Sequence, residues 1–284
     1  ILHVCNILSH VLITTFAIML IILSPAKTIN SNASCPQGIE SLPDFNDEAT
    51  VLMSKLRSKK QTNLIGLMKL SEKLSSTVMD WHQKWACFKS IKEAHEAGAI
   101  PCGYAMQGAA FKFLDLATLK RSEIKYAQSH LLILSGLYGM LRPCDLMMPY
   151  RLEMGLKFKV DQDHNSLYSF WSKHLRKPLS DKLIENKSDI ILNLASEEYS
   201  NVIKRTGTNA RIITCTFKEE STKGFKSIST FAKQARGAMA RFAIQEKVSG
   251  ETGVKKLMSF NNLDYHYNSE LSHPNNMIFT RFFK

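Results

Sequence analysis

The sequence has no close cysteine pair. Its six cysteines are Cys5, Cys35, Cys87, Cys102, Cys144 and Cys215, and no two fall within ten residues of each other. That excludes C-x-x-C zinc and redox motifs and reads as a reduced, intracellular chain. The nine histidines are equally scattered, with no H-x-x-x-H or H-E-x-x-H spacing. No metal site and no cofactor motif is therefore expected. Internal repeats and low-complexity tracts are missing too, and 13 glycines and 8 prolines in 284 residues exclude a collagen-like chain. Acidic residues are few beside basic ones, 25 against 37, for a net charge of +12. An excess of this size favours an anionic partner: nucleic acid, a phosphorylated metabolite or a membrane surface.

Charge of either sign is absent from residues 1–24. That length could span a bilayer or serve as a signal peptide cleaved near Ser24-Pro25-Ala26. No Lys or Arg precedes the apolar run, which argues against both. Met19 opens a self-contained strand signature, Met19 to Leu23, closed by Ser24-Pro25. The reading is an upstream apolar segment over 1–18 and one domain over 19–284, with no membrane association.

The rest is long enough for a substantial core, being 44% hydrophobic and 22% charged. Short apolar runs at 131–135, 190–194 and 210–217 read as further buried strands. Residues 29–47, rich in Asn, Ser, Pro and Asp, read as a loop. Helical spacing of apolar residues covers 47–60, 62–96, 166–186 and 231–247. Strands alternating with helices predict an α/β fold: a single compact domain, a mixed sheet flanked by helices on both faces.

Ligands of open α/β sheets bind outside the carboxyl ends of the strands. Here those ends carry Ser24-Pro25-Ala26-Lys27, Ser135-Gly136-Leu137-Tyr138-Gly139 and Ala195-Ser196-Glu197. If the strands are parallel, Ser24, Lys27, Tyr138, Arg142, Ser196 and Glu197 face one crevice. The alternative is ordinary loop chemistry, with Ser196 only a helix N-cap. Residues 141–155 (LRPCDLMMPYRLEMG) set Arg142, Asp145, Arg151 and Glu153 among apolar neighbours. Buried charges must be paired, so these are internal pairs or ligands of an anion.

The basic charge is regional. Residues 53–92 carry a net +7 and residues 218–256 a net +5. Within the first, 62–85 reads as two short helices around Ser71-Glu72-Lys73, a helix-hairpin-helix-like element offering Lys69 and Lys73 to phosphates. Trp81, Trp85 and Phe88 beside it either stack on unpaired bases or belong to the core. Within the second, the 231–247 helix places Phe231, Ala235, Ala238, Met239 and Phe242 on one face and Lys233, Arg236, Arg241 and Lys247 on the other. Gly237 amid that basic face leaves room for a closely approaching backbone, such as that of DNA.

Ile22 to Thr28 (ILSPAKT), Ser135 to Gly155, Asn193 to Tyr199 (NLASEEY) and Lys233 to Phe242 (KQARGAMARF) together resemble the YaaA family of bacterial peroxide-stress proteins. The likeness runs in order from Met19 to about Phe283. It implies a cytoplasmic protein that limits oxidative damage under hydrogen peroxide by lowering unincorporated iron. It also implies binding of double-stranded or structured DNA through a basic cleft and a helix-hairpin-helix element. By motif, the cleft residues are Lys27, Arg142, Arg151, Lys233, Arg236 and Arg241. Gly103 to Gly108 (GYAMQG) departs from the family, where Asp-Val-Tyr usually follows the first glycine. No catalytic set is legible, and the alternative is an enzyme acting on a nucleotide or phosphorylated metabolite in the strand-end crevice.

Overall fold

Leu20–Leu23, Leu131–Ser135 and Ile190–Leu194 are buried at every residue. A strand without polar alternation must be covered on both faces, and these three form the middle of the sheet. The structure, a computed structural model, describes residues 19–222 and 224–282. The apolar segment 1–18 lies outside the described residues.

In chain order the main sheet contains β1 (Leu20–Leu23), β2 (Leu131–Ser135), β3 (Gly139–Leu141), β4 (Ile190–Leu194), β5 (Arg211–Ser221), β6 (Gly224–Lys226), β7 (His266–Tyr267) and β8 (Asn276–Phe282). Across the sheet the order is β7-β8-β5-β4-β1-β2-β3, with β6 paired to β5. β8, β5, β4, β1 and β2 run parallel, while β3, β6 and β7 are antiparallel to their neighbours. The mixed α/β sheet expected from the sequence is the one observed.

The helices include α1 (Asn46–Arg57), α2 (Gln61–Met68), α3 (Glu72–Lys84), α4 (Ala109–Leu114), α5 (Arg121–His130), α6 (Leu167–Glu185), α7 (Glu197–Arg205), α8 (Ser229–Gln245) and α9 (Gly250–Leu257). The helical stretch expected over 62–96 is broken twice. Lys69 takes a left-handed backbone with φ 51°, and Ser71 then caps α3 by accepting a hydrogen bond from Leu74 N. Residues 85–90 leave the helix, and Ser90 caps a new short one, Ile91–Glu96. Trp85 and Phe88 are core residues: both are buried, and Trp85 Nε1 donates to Tyr138 Oη. α2 and α3 pack on each other, and α3 also on α1. α8 packs on α4, α5 and the central strands, and α6 on α7.

Candidate functional site

β1 and β4 are hydrogen-bonded parallel neighbours with Leu23 level with Leu194, so both chains leave the sheet at the same height. Beyond them the two exits are tied together. Ser196 N donates to Ser24 Oγ at 2.8 Å, and Ser24 Oγ donates to Ser196 Oγ at 3.2 Å. Asn193 braces the second exit, its Oδ1 accepting from Ala195 N at 3.0 Å. A cavity of about 300 Å³ opens above this junction. Its walls are the 23–28 segment, Ser196, Glu198 and Tyr199, the 107–111 segment, and Lys233 and Arg236 of α8.

α8 reaches the cavity because Gly237 lets it. A Cβ at Gly237 would lie 1.9 Å from the Ala110 carbonyl oxygen, so the α8 and α4 backbones are in direct contact there. The close approach expected at Gly237 is therefore filled by the protein's own chain. α8 is also buried over most of its surface and has no broad basic face. Lys233 is exposed. Arg241 is taken up by α4, its Nη1 donating to the carbonyls of Leu114 and Asp115 at 3.1 and 2.7 Å.

Arg236 differs from the other cations. Its Nε is buried and has no hydrogen-bond partner, and neither it nor Lys233 has an ion-pair partner among the described residues. Burial pushes the Arg236 guanidinium below its ordinary range. Lys27 shares Glu153 with Arg151, at 3.2 and 2.9 Å. The acid on the cavity wall is Glu198, which accepts a hydrogen bond from Gly155 N at 3.0 Å. Three cations thus meet one carboxylate at the cavity, and two of the cations are uncommitted. Such a hollow attracts an oxyanion.

The structure brings together Ser24, Lys27, Ser196, Lys233 and Arg236 from the sequence candidates. It places the others elsewhere. Tyr138 is fully buried, its Oη accepting from Trp85 Nε1 and Met148 N, because the chain turns at 136–138 and returns antiparallel as β3. The same reversal carries Arg142 back from the strand ends, Leu141 pairing with Ile133. Arg142 there binds Asp145 at 3.0 Å, Asp44 at 3.1 Å and the Leu42 carbonyl at 2.8 Å. Arg151 is held by Glu153 beside the cavity. Glu197 is exposed and absent from the lining, which Glu198 supplies instead, one helical step on. Lys69 and Lys73 are exposed, at the end of α2 and the start of α3, and do not line the cavity.

The wall from Gln107 to Phe111 escaped the sequence reading. Its signal was a run of small residues, Gly108-Ala109-Ala110, matching the small residues of α8 around Gly237. Among the described residues, no cluster of three or more His, Cys, Asp or Glu side chains could hold a metal ion. No helix among them is long and apolar enough to cross a membrane.

Comparison with known proteins bears on what this hollow serves. The family described as peroxide stress protein YaaA matches residues 19–271. A UPF0246 protein of Francisella philomiragia is 38% identical over 263 residues, covering 93% of this chain and 100% of the relative. UPF0246 proteins of Aliivibrio fischeri and of a Psychrobacter species are 37% and 36% identical, each over 93% of this chain and 98% of the relative.

Proposed function

This chain belongs to the peroxide stress protein YaaA family, and from that premise we propose that it serves the peroxide response by binding DNA, with the strand-end cavity as the phosphate anchor. The observation that carries this reading is Arg236, a guanidinium whose Nε is buried without a partner at the wall of the cavity. An uncompensated buried charge is costly, and an oxyanion offering paired oxygens removes that cost. Lys233 stands three residues earlier on the same helix face and supplies a second charge. Lys27, 65% exposed, supplies a third from the rim.

A hollow of about 300 Å³ takes one phosphate with its sugar or base, not a duplex. DNA therefore enters it through a strand end or an unpaired nucleotide. Lys69 and Lys73 contact outlying phosphates in this reading, and the α2–α3 pair serves as the helix-hairpin-helix-like element. The protein works in the cytoplasm. It lowers unincorporated iron indirectly, through its action on DNA-linked processes and not by ligating the metal.

The test is a titration of duplex DNA carrying a single-stranded overhang, at two salt concentrations. Affinity should fall steeply with salt, and the Lys233→Ala, Arg236→Ala double variant should bind at least ~10-fold more weakly with a salt slope smaller by about two. Unchanged affinity and slope in the double variant would refute the assignment.

A second reading has its own support. The cavity is small and concave, and Ser24, Ser196 and Glu198 offer polar groups beside the cations. These features suit a free nucleotide or phosphorylated metabolite, and an enzyme acting on it. A mononucleotide that raises the melting temperature of the protein but not of Arg236→Ala, and that duplex DNA fails to displace, would favour this alternative.

A further inference from the structure

One wall of the strand-end cavity is shared with a second hollow. Thr28 and Ile29 pair antiparallel with Gln107 and Met106, Thr28 opposite Gln107. The chain then passes Gly108 into α4. A Cβ at Gly108 would lie 3.3 Å from Ala26 Cβ, so the 107–111 wall sits directly against the 23–28 segment with no side chain between them there. Paired strands lie about 4.8 Å apart, so this wall is one chain thick. Gln107, Gly108 and Phe111 line the strand-end cavity. The same three residues line an adjoining hollow of about 400 Å³, together with Tyr104, Lys112 and Asp115.

The two hollows differ in charge. The first gathers Lys27, Lys233 and Arg236 around Glu198. The second holds one cation, Lys112, and one carboxylate, Asp115, so its charges cancel. It has no surplus with which to hold a second phosphate. Lys112 is exposed and makes no ion pair among the described residues. Asp115 is fixed in place, accepting a hydrogen bond from Thr118 Oγ1 at 2.8 Å. Phe111 and Leu116, both buried, give the hollow an apolar floor. Tyr104 is half-buried and its hydroxyl is buried, which leaves the ring to face the hollow. Gln107 is exposed, and its amide carries a donor and an acceptor side by side. A neutral hollow with an aromatic wall, an apolar floor and an amide at its edge suits a nucleobase, which offers a face to stack and an edge of donors and acceptors.

We propose that this second hollow is a base site, so that the ligand is a nucleic-acid strand end of at least two nucleotides. Its terminal phosphate sits at Arg236 and Lys233, and the base of the adjoining nucleotide sits against Tyr104 and Gln107. The proposal rests on the phosphate-anchor reading and deepens it, because it separates a strand of nucleic acid from a free nucleotide. A mononucleotide occupies the first hollow alone. A dinucleotide crosses the shared wall at Gly108, where no side chain stands in the way.

The experiment titrates the full-length protein in a calorimeter with a 5′-phosphorylated dinucleotide and with the corresponding mononucleotide, each at two salt concentrations. The dinucleotide should bind ~10-fold more tightly. That ratio should persist at the higher salt, because the second site holds a base and not a phosphate. Ala117 is exposed and lines the second hollow but not the first. Ala117→Trp should fill that hollow and abolish the difference between the two ligands, with mononucleotide affinity unchanged and near-ultraviolet circular dichroism showing an intact fold. Lys112→Ala, at an exposed position, should lower the ratio in the same direction. Equal affinities in the parent protein, a ratio that collapses with salt, or a ratio unchanged in both variants would overturn the base site while leaving the phosphate anchor standing. A mononucleotide that binds the parent and Arg236→Ala alike would instead remove the anchor, and the base site with it.

Discussion

Gly237 shows how a single residue positions the candidate site. Its missing side chain lets the α8 backbone meet the Ala110 carbonyl, and that contact sets Lys233 and Arg236 at the cavity wall. A methyl group at that distance cannot be accommodated without moving one helix, so Gly237→Ala should lower stability by ~2–3 kcal/mol, read as a lower urea midpoint at unchanged slope. The same variant should weaken anion binding. Ser24→Ala is milder: it removes the acceptor for Ser196 N and should cost about 1 kcal/mol. Residues of this kind were only partly legible. The sequence singles out Gly237 as a place of close approach, but the approaching group is Ala110, 127 positions away. Arg236 and Arg241 look alike on a helical wheel. Only the packing of α4 separates a guanidinium that caps carbonyls from one whose Nε is unpartnered.

Elements that bury two faces or one stripe announced themselves. β1, β2 and β4 were readable because runs of three or four consecutive apolar residues, between turn signals, fit little else. What the sequence did not disclose was the direction of β3. Its reversal withdraws Tyr138 into the core and Arg142 to an ion-pair cluster, so a strand-end motif became part of the scaffold. The break before Ser71 agrees with the two short helices read over 62–85, whereas the one at 85–90 was hidden because apolar spacing continues across it. α3 also carries a pH-sensitive group. Burial pushes His82 from its ordinary 6.5 down to about 4. The folded protein therefore keeps His82 neutral while the unfolded chain protonates it. Its contribution is present above pH 6.5 and is lost as the pH falls through about 4, by up to ~3 kcal/mol. Replacing His82 with Gln should flatten the acid side of the stability curve between those values, measured by urea unfolding in steps of pH. An unchanged profile would remove His82 as its cause.

At the scale of the whole molecule, the surplus of positive charge divides into two unlike parts. The 53–92 segment carries exposed lysines at Lys60, Lys69, Lys73, Lys84, Lys89 and Lys92, on α3, on the Ile91–Glu96 helix and on the connections around them, while Lys55 donates to the Val160 carbonyl and Arg57 is spent on the carbonyls of His82, Gln83 and Trp85. The 218–256 segment contributes two cations to a hollow at the sheet's carboxyl edge. The two parts do not line that hollow together, so the account rests on a small anchoring site, with any longer DNA contact built around it. The most direct measurement is the position of phosphate in a complex with a short 5′-phosphorylated oligonucleotide. The account predicts a phosphate within hydrogen-bonding distance of Arg236 and Lys233, beneath Ser24 and Ser196. Phosphates ordered only along Lys69 and Lys73, with the cavity untouched, would contradict it.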